Sequence, residues 1–181
     1  MAQRSKTAAK DSGVELQIEI LENSFALLAP AADELVALFY ENLLANKEIR
    51  PLFAQVDMEG QKKHLINELV LVVENLRNPD KLAAALRVMG ERHQGYGVMA
   101  EHYPVVGKTL LGAMEELAGE AWTAEIESAW SEALNLISQI MLAAYKPENV
   151  EMSPETVLSE DLPKGNGEAV VLEHLNMPAL M

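Results

Sequence analysis

The chain has 181 residues, 49% of them hydrophobic, no cysteine and a formal net charge of −14. That length and apolar content support one domain with a substantial core rather than a disordered chain. The missing cysteine excludes disulfides, thiolate metal sites and CxxCH-type attachment, and the acidity argues against nucleic acid as a partner.

Residues 1–13, MAQRSKTAAKDSG, form a polar arm with a small positive charge and no apolar stretch of the kind a secretory signal carries. Ser12-Gly-Val-Glu15 reads as a capping box opening a first helix, which should run to about Ala29 and break at Pro30. A second helix is expected over 31–46, and Arg50-Pro51 falls in a tight turn ending near Phe53. A long helix over 59–76 turns Leu65, Leu69, Val72, Val73 and Leu76 inward. Asn78-Pro79 closes it and opens the next, over 80–93, because proline suits a first helical position. A further helix starts near His102 or Tyr103 and ends near Gly119, and a last one covers about 123–145.

No alternation of period two is long enough for a sheet, so the fold class is all-α. No apolar run approaches the roughly 18 residues that would span a bilayer. Residues 147–181 hold four of the eight prolines and seven acids against one lysine, the composition of a disordered tail. Neither the serine-hydrolase, phosphate-loop nor zinc-protease motifs occur, and His64, His93, His102 and His174 share no metal-ligand spacing.

His93 continues the stripe Leu82, Leu86, Met89, then the chain leaves the helix on Gly95 and Gly97. Such a histidine is either a hydrogen-bonded core residue or an imidazole offered to a metal between helices. Gln61 opens the stripe of the long helix and Tyr40 sits beside Phe39. Each has a bland alternative, as a solvated first-turn amide and a packed core phenol.

Four phrases, FYENLLANKEIRPLF (39–53), GERHQGYG (90–97), EHYPVVGKTLLGAMEELAG (101–119) and AWSEAL (129–134), decide between these readings by their order and spacing. Together they resemble the globin family, and are most similar to single-domain bacterial haemoglobins and the haem domain of flavohaemoglobins. The resemblance covers about 14–145. It divides the chain into an arm (1–13), a globin domain (14–146) and a tail (147–181). It implies the globin fold, a three-over-three helical sandwich around a pocket for non-covalent haem b, iron protoporphyrin IX.

By the same resemblance His93 is the proximal iron ligand and Tyr103 the tyrosine behind it. Phe53 wedges the haem at the corner, and Val98 and Val106 pack against it. Gln61 takes the distal polar position with Leu65 one turn on, and Tyr40 is the distal tyrosine that donates to bound oxygen. Gln61 and His93 are 32 residues apart, as expected for groups on opposite haem faces. His64, one turn from Gln61, lies near the haem at a position from which some globins coordinate iron. The flavohaemoglobins carry a proximal glutamate on their last helix. The matching place falls at about Pro147, which would leave that hydrogen-bonded set incomplete.

The implied function is reversible binding of O2, with CO and NO as further ligands. Nitric oxide dioxygenase activity would depend on an external reductase, since no reductase domain follows. The alternative is a haem-based gas or redox sensor acting through a partner protein. A cytoplasmic monomer or homodimer without a membrane span is expected.

Overall fold

The computed structural model describes residues 17–146. Helix α1 covers residues 17–28, and a 3-10 turn at Ala29–Ala31 leads into α2, Ala32–Ala45. A second 3-10 turn, Arg50–Phe53, precedes α3, Met58–Glu74. Then come α4, Pro79–Gly95, and α5, His102–Ala118. A third turn, Gly119–Ala121, leads to α6, Ala124–Leu142. No strand occurs among the described residues. The arm over 1–13, the capping box at Ser12–Glu15 and the tail over 147–181 lie outside them.

Local chemistry sets several helix starts. Asp57 accepts the Glu59 and Gly60 amides at the head of α3, Asn78 accepts Lys81 N–H for α4, and Thr123 accepts Ile126 N–H for α6. Each cap contributes about 1 kcal/mol by satisfying an orphan donor. Pro30 does less than its sequence context promises. Instead of breaking the chain out of helix it tightens one turn to 3-10, and α2 begins at once. The last helix ends at Leu142, three residues short of the expected Tyr145.

Helices α2, α5 and α6 form one layer, α2 against α5 and α5 against α6. The second layer is laid on it, with α3 on α2 and α4 on α6. Ser24 of α1 meets α6, where the buried Trp130 ring donates its N–H to Ser24 Oγ at 2.9 Å. Ser24 passes its own hydrogen to the Ile20 carbonyl at 2.6 Å, so both polar groups are satisfied inside the core. Arg77 grips Glu22 with two hydrogen bonds of 2.9 and 2.8 Å and ties the end of α3 to α1. This is the expected three-over-three sandwich.

The main core gathers Leu35, Phe39, Leu43, Ile49, Met114 and Trp130, all nearly inaccessible to water. A smaller cluster of Val72, Leu86 and Met141 joins the end of α3 to α4 and α6. At this second centre the α4 backbone comes so near α6 that a Cβ on Gly90 would fall on the Met141 main-chain carbonyl. A carbonyl in a helix cannot swing aside as a side chain can, so α4 itself would have to move. Gly90→Ala should therefore destabilise the fold by about 2–3 kcal/mol, read as a lower urea midpoint. Gly112→Ala, on an exposed helical site with open space around it, should be neutral or stabilising by up to about 1 kcal/mol. Equal effects of the two changes would rule out the close approach as the cause.

Candidate functional site

Helices α3 and α4 are joined by a short turn, yet they are not close neighbours along their length. They meet near that turn, where Val72 and Leu76 face Leu82 and Leu86. Away from it each follows a different support, α3 resting on α2 and α4 on α6, so a cleft opens between them. Gln61, Leu65 and Glu68 are spaced four and three residues apart on α3 and share one face. All three are half-buried, and His93 of α4 belongs to the opposite wall.

The imidazole of His93 is held in one orientation. Its Nδ1 lies 2.8 Å from the Met89 carbonyl, one turn earlier. A carbonyl can only accept, so Nδ1 carries the hydrogen and Nε2 keeps its lone pair. Nε2 has no hydrogen-bond partner among the described residues. The helix end beyond it is closed tightly. Gly97 takes φ +78°, Val98 N–H donates to the His93 carbonyl and Gly97 N–H to that of Gln94, both at 3.0 Å. That is a Schellman closure, and the left-handed residue in it favours glycine. Gly95 has no such constraint, since its φ is ordinary.

Across the cleft Tyr40 is buried in α2, edge-on to Phe39 at 4.9 Å and to Phe53 at 5.8 Å between ring centres. The Gln61 side chain approaches its hydroxyl. Burial pushes the Tyr40 phenol up to about 12, outweighing the Gln61 side chain that pulls it down. The group is therefore a neutral O–H donor throughout the physiological range. Of the other expected site residues, His64 is exposed, and Val106 of α5 packs against the main core as Phe53 and Leu65 do.

The expectation at Pro147 lies outside the described residues. Because α6 stops at Leu142, Tyr145 turns back towards the end of α4. Its hydroxyl donates to the Val98 carbonyl at 3.0 Å and accepts from Tyr103 at 3.0 Å. Burial and the neighbouring Tyr145 both raise the Tyr103 phenol, so Tyr103 stays protonated. The Tyr103 ring lies 6.4 Å from the His93 ring. One residue on, the Gln94 amide brackets the Lys146 main chain, donating to its carbonyl at 2.6 Å and accepting its N–H at 2.9 Å. Two hydroxyls and an amide thus tie the end of α4 to the residues that follow α6.

Sequence reasoning missed Glu68, Tyr145 and Gln94. Glu68 carried a signal, an acid seven residues after Gln61 on an otherwise apolar stripe. Tyr145 and Gln94 carried none, because their pairing depends on where α6 ends.

With this geometry in hand, comparison with known proteins defines the class. The globin family model matches residues 36–141, and the chain belongs to the globin family. It is 31% identical over 126 residues to a flavohemoprotein of Xylella fastidiosa, covering 68% of this chain and 32% of that protein. A flavohemoprotein of Rhodopirellula baltica is 33% identical over 131 residues, covering 71% and 32%. The chain thus spans about a third of the length of these relatives. Among solved structures it is similar to a bacterial globin from Campylobacter jejuni, with TM-score 0.62 and 25% identity over 72% of this chain and 94% of the other. It is also similar to an engineered carbene transferase made from a nitric oxide dioxygenase candidate of Rhodothermus marinus. There the TM-score is 0.62 and the identity 28%, over 69% and 87% of the two chains.

Family membership implies a haem, and the cleft fits one. It has a fixed imidazole with an unpartnered nitrogen on one wall. Leu65, Phe53 and Val98 around it are only half-buried by protein. The tyrosine pair gives a prediction free of any cofactor. Tyr145→Phe should cost about 1–2 kcal/mol in a urea melt, since it strips two partners at once. Tyr103→Phe should cost about 1 kcal/mol, and the double variant clearly less than the sum of the two. Strict additivity would show that the hydroxyls do not act as a pair.

Proposed function

We propose that this globin binds haem b through His93 and reversibly takes up O2, CO or NO on the side of Tyr40 and Gln61. The observation that carries the reading is the imidazole of His93. It is pinned by Met89 with Nε2 free, and it shares a cleft with the neutral, buried Tyr40 hydroxyl and the Gln61 amide. When bound, the haem supplies the iron that coordinates a diatomic gas.

The protein's own residues do the rest. The Nδ1 hydrogen of His93 is shared with a main-chain carbonyl and not with an acid, which leaves Nε2 to hold the iron. Tyr103 and Tyr145 anchor Val98, and so the loop that follows the histidine. Phe53 stacks edge-on behind Tyr40 and restricts that ring to one orientation. Tyr40 and Gln61 can each donate to an electron-rich diatomic, while Leu65 and Val98 keep the surroundings apolar. Donors of this kind favour O2 over CO, which draws less negative charge onto its outer atom.

The turnover we propose is conversion of nitric oxide to nitrate, NO + O2 + e− → NO3−, with the electron from an external reductase. The flavohemoprotein relatives and the Rhodothermus neighbour support that choice. A sensor is the second reading. It is favoured by the clamp at Gln94 and Tyr145, which links the histidine's helix directly to the end of α6. Nitric oxide consumption under a chemical reductant distinguishes the two.

Replacing His93 with alanine should abolish most haem retention on gel filtration of the haemin-loaded protein. Retention at the wild-type level with an unchanged five-coordinate imidazole spectrum would overturn the assignment. Tyr40→Phe should raise the O2 dissociation rate about tenfold in stopped flow, the loss of roughly one charge-assisted hydrogen bond, with CO release changed far less. Equal O2 off-rates would remove Tyr40 from the site.

A further inference from the structure

Glu68 is the side chain in the cleft that neither packing nor the proposed gas binding uses. It lies one helical repeat beyond Gln61 and three residues past Leu65, on the face that α3 turns to the cleft. It is half-buried, yet it makes no hydrogen bond or ion pair among the described residues. Titratable groups surround it without touching it. His64 precedes it on α3, His93 and Arg92 face it from α4, and Tyr40 approaches from α2. A carboxylate left unpartnered in a partly dry cleft costs stability, and surface acids elsewhere on this helix, such as Glu74, avoid that cost by facing water.

Resting on the haem reading, we infer that Glu68 sets the redox balance of the site. Its negative charge on the cleft wall favours the ferric over the ferrous state of a haem held by His93. The physics is Coulombic: oxidation adds one positive charge to the iron, and a nearby anion in a medium less polarisable than water stabilises that added charge. Burial is the largest influence on the Glu68 carboxyl and raises it, so the charge is tested on the alkaline side. At the effective dielectric typical of protein sites, one charge across a pocket is enough to shift the ferric-to-ferrous ratio about tenfold at a fixed potential. The substitution that isolates the charge is Glu68→Gln, which keeps the shape.

The test is spectroelectrochemical titration of the haemin-loaded full chain at pH 8. Wild type is compared with Glu68→Gln, Glu68→Asp and Glu74→Gln. Glu68→Gln should become easier to reduce, with about tenfold more ferrous haem at the wild-type midpoint. Glu68→Asp should stay near wild type, and the distant Glu74→Gln should not differ from it. The inference is overturned if Glu68→Gln titrates with wild type, if Glu68→Asp follows Glu68→Gln, or if Glu74→Gln shifts equally. Haemin uptake, read first by the growth of the visible absorption, separates the two claims. A chain that takes up no haemin overturns the haem reading and this inference with it, whereas loaded variants with equal midpoints overturn this inference alone.

Discussion

The near-contact between Gly90 and the Met141 carbonyl is the constraint on which the site depends. Two helices can come this close only where one of them has no side chain. By lying so deep on α6, α4 gives up contact with α3, its neighbour in sequence. The space between them is the cleft, and His93 stands one turn beyond the glycine that creates it. The same packing buries Leu86 completely, so the helix cannot rock without exposing its central leucine.

From that placement the polar arrangement follows. A histidine near a helix C-terminus finds a carbonyl of its own helix within reach, and Met89 supplies it. The Schellman closure at Gly97 then stops the helix and turns Val98 towards the tyrosines. On the opposite wall α3 rests on α2, which sets Gln61 against Tyr40. Each wall is therefore organised by a different supporting helix, and the gap between the walls is set by neither wall alone.

Helix periodicity and capping chemistry made most of this legible beforehand. Asn78-Pro79 marked the start of α4, Arg50-Pro51 the turn before α3, and the stripe ending at His93 the buried face of α4. These are local signals, and local physics was enough to read them. What failed was also physical. Pro30 suggests a break because proline removes a hydrogen bond, but a 3-10 turn absorbs that loss without leaving the helical region. The end of α6 was placed three residues late, since Ala143 and Ala144 are good helix formers and nothing in the sequence tells the chain to stop. That error hid Tyr145, whose role exists only once the chain turns back at Leu142. Glu68 went unremarked for a different reason. An acid on a helix is by default a solvated one, and only the divergence of α3 from α4 leaves this acid inside.

The tyrosine pair behind the histidine bears on where the site keeps its charge. A carboxylate hydrogen-bonded to a proximal imidazole would lend it anionic character. Here the imidazole hydrogen goes to a main-chain carbonyl, and the Tyr103 phenol behind it is held protonated by burial. Neither can carry negative charge towards His93. On the α3 wall a carboxyl stands unpaired beside a neutral phenol and an amide. On the proposed reading, donors for a gas ligand and a charge for the iron would come from the same two helices, α2 and α3, while α4, α5 and the residues after α6 would hold one ring still. Redox balance and gas affinity should then respond together to changes on the α3 face, and the tyrosine clamp should govern the rigidity of the histidine more than its electronics.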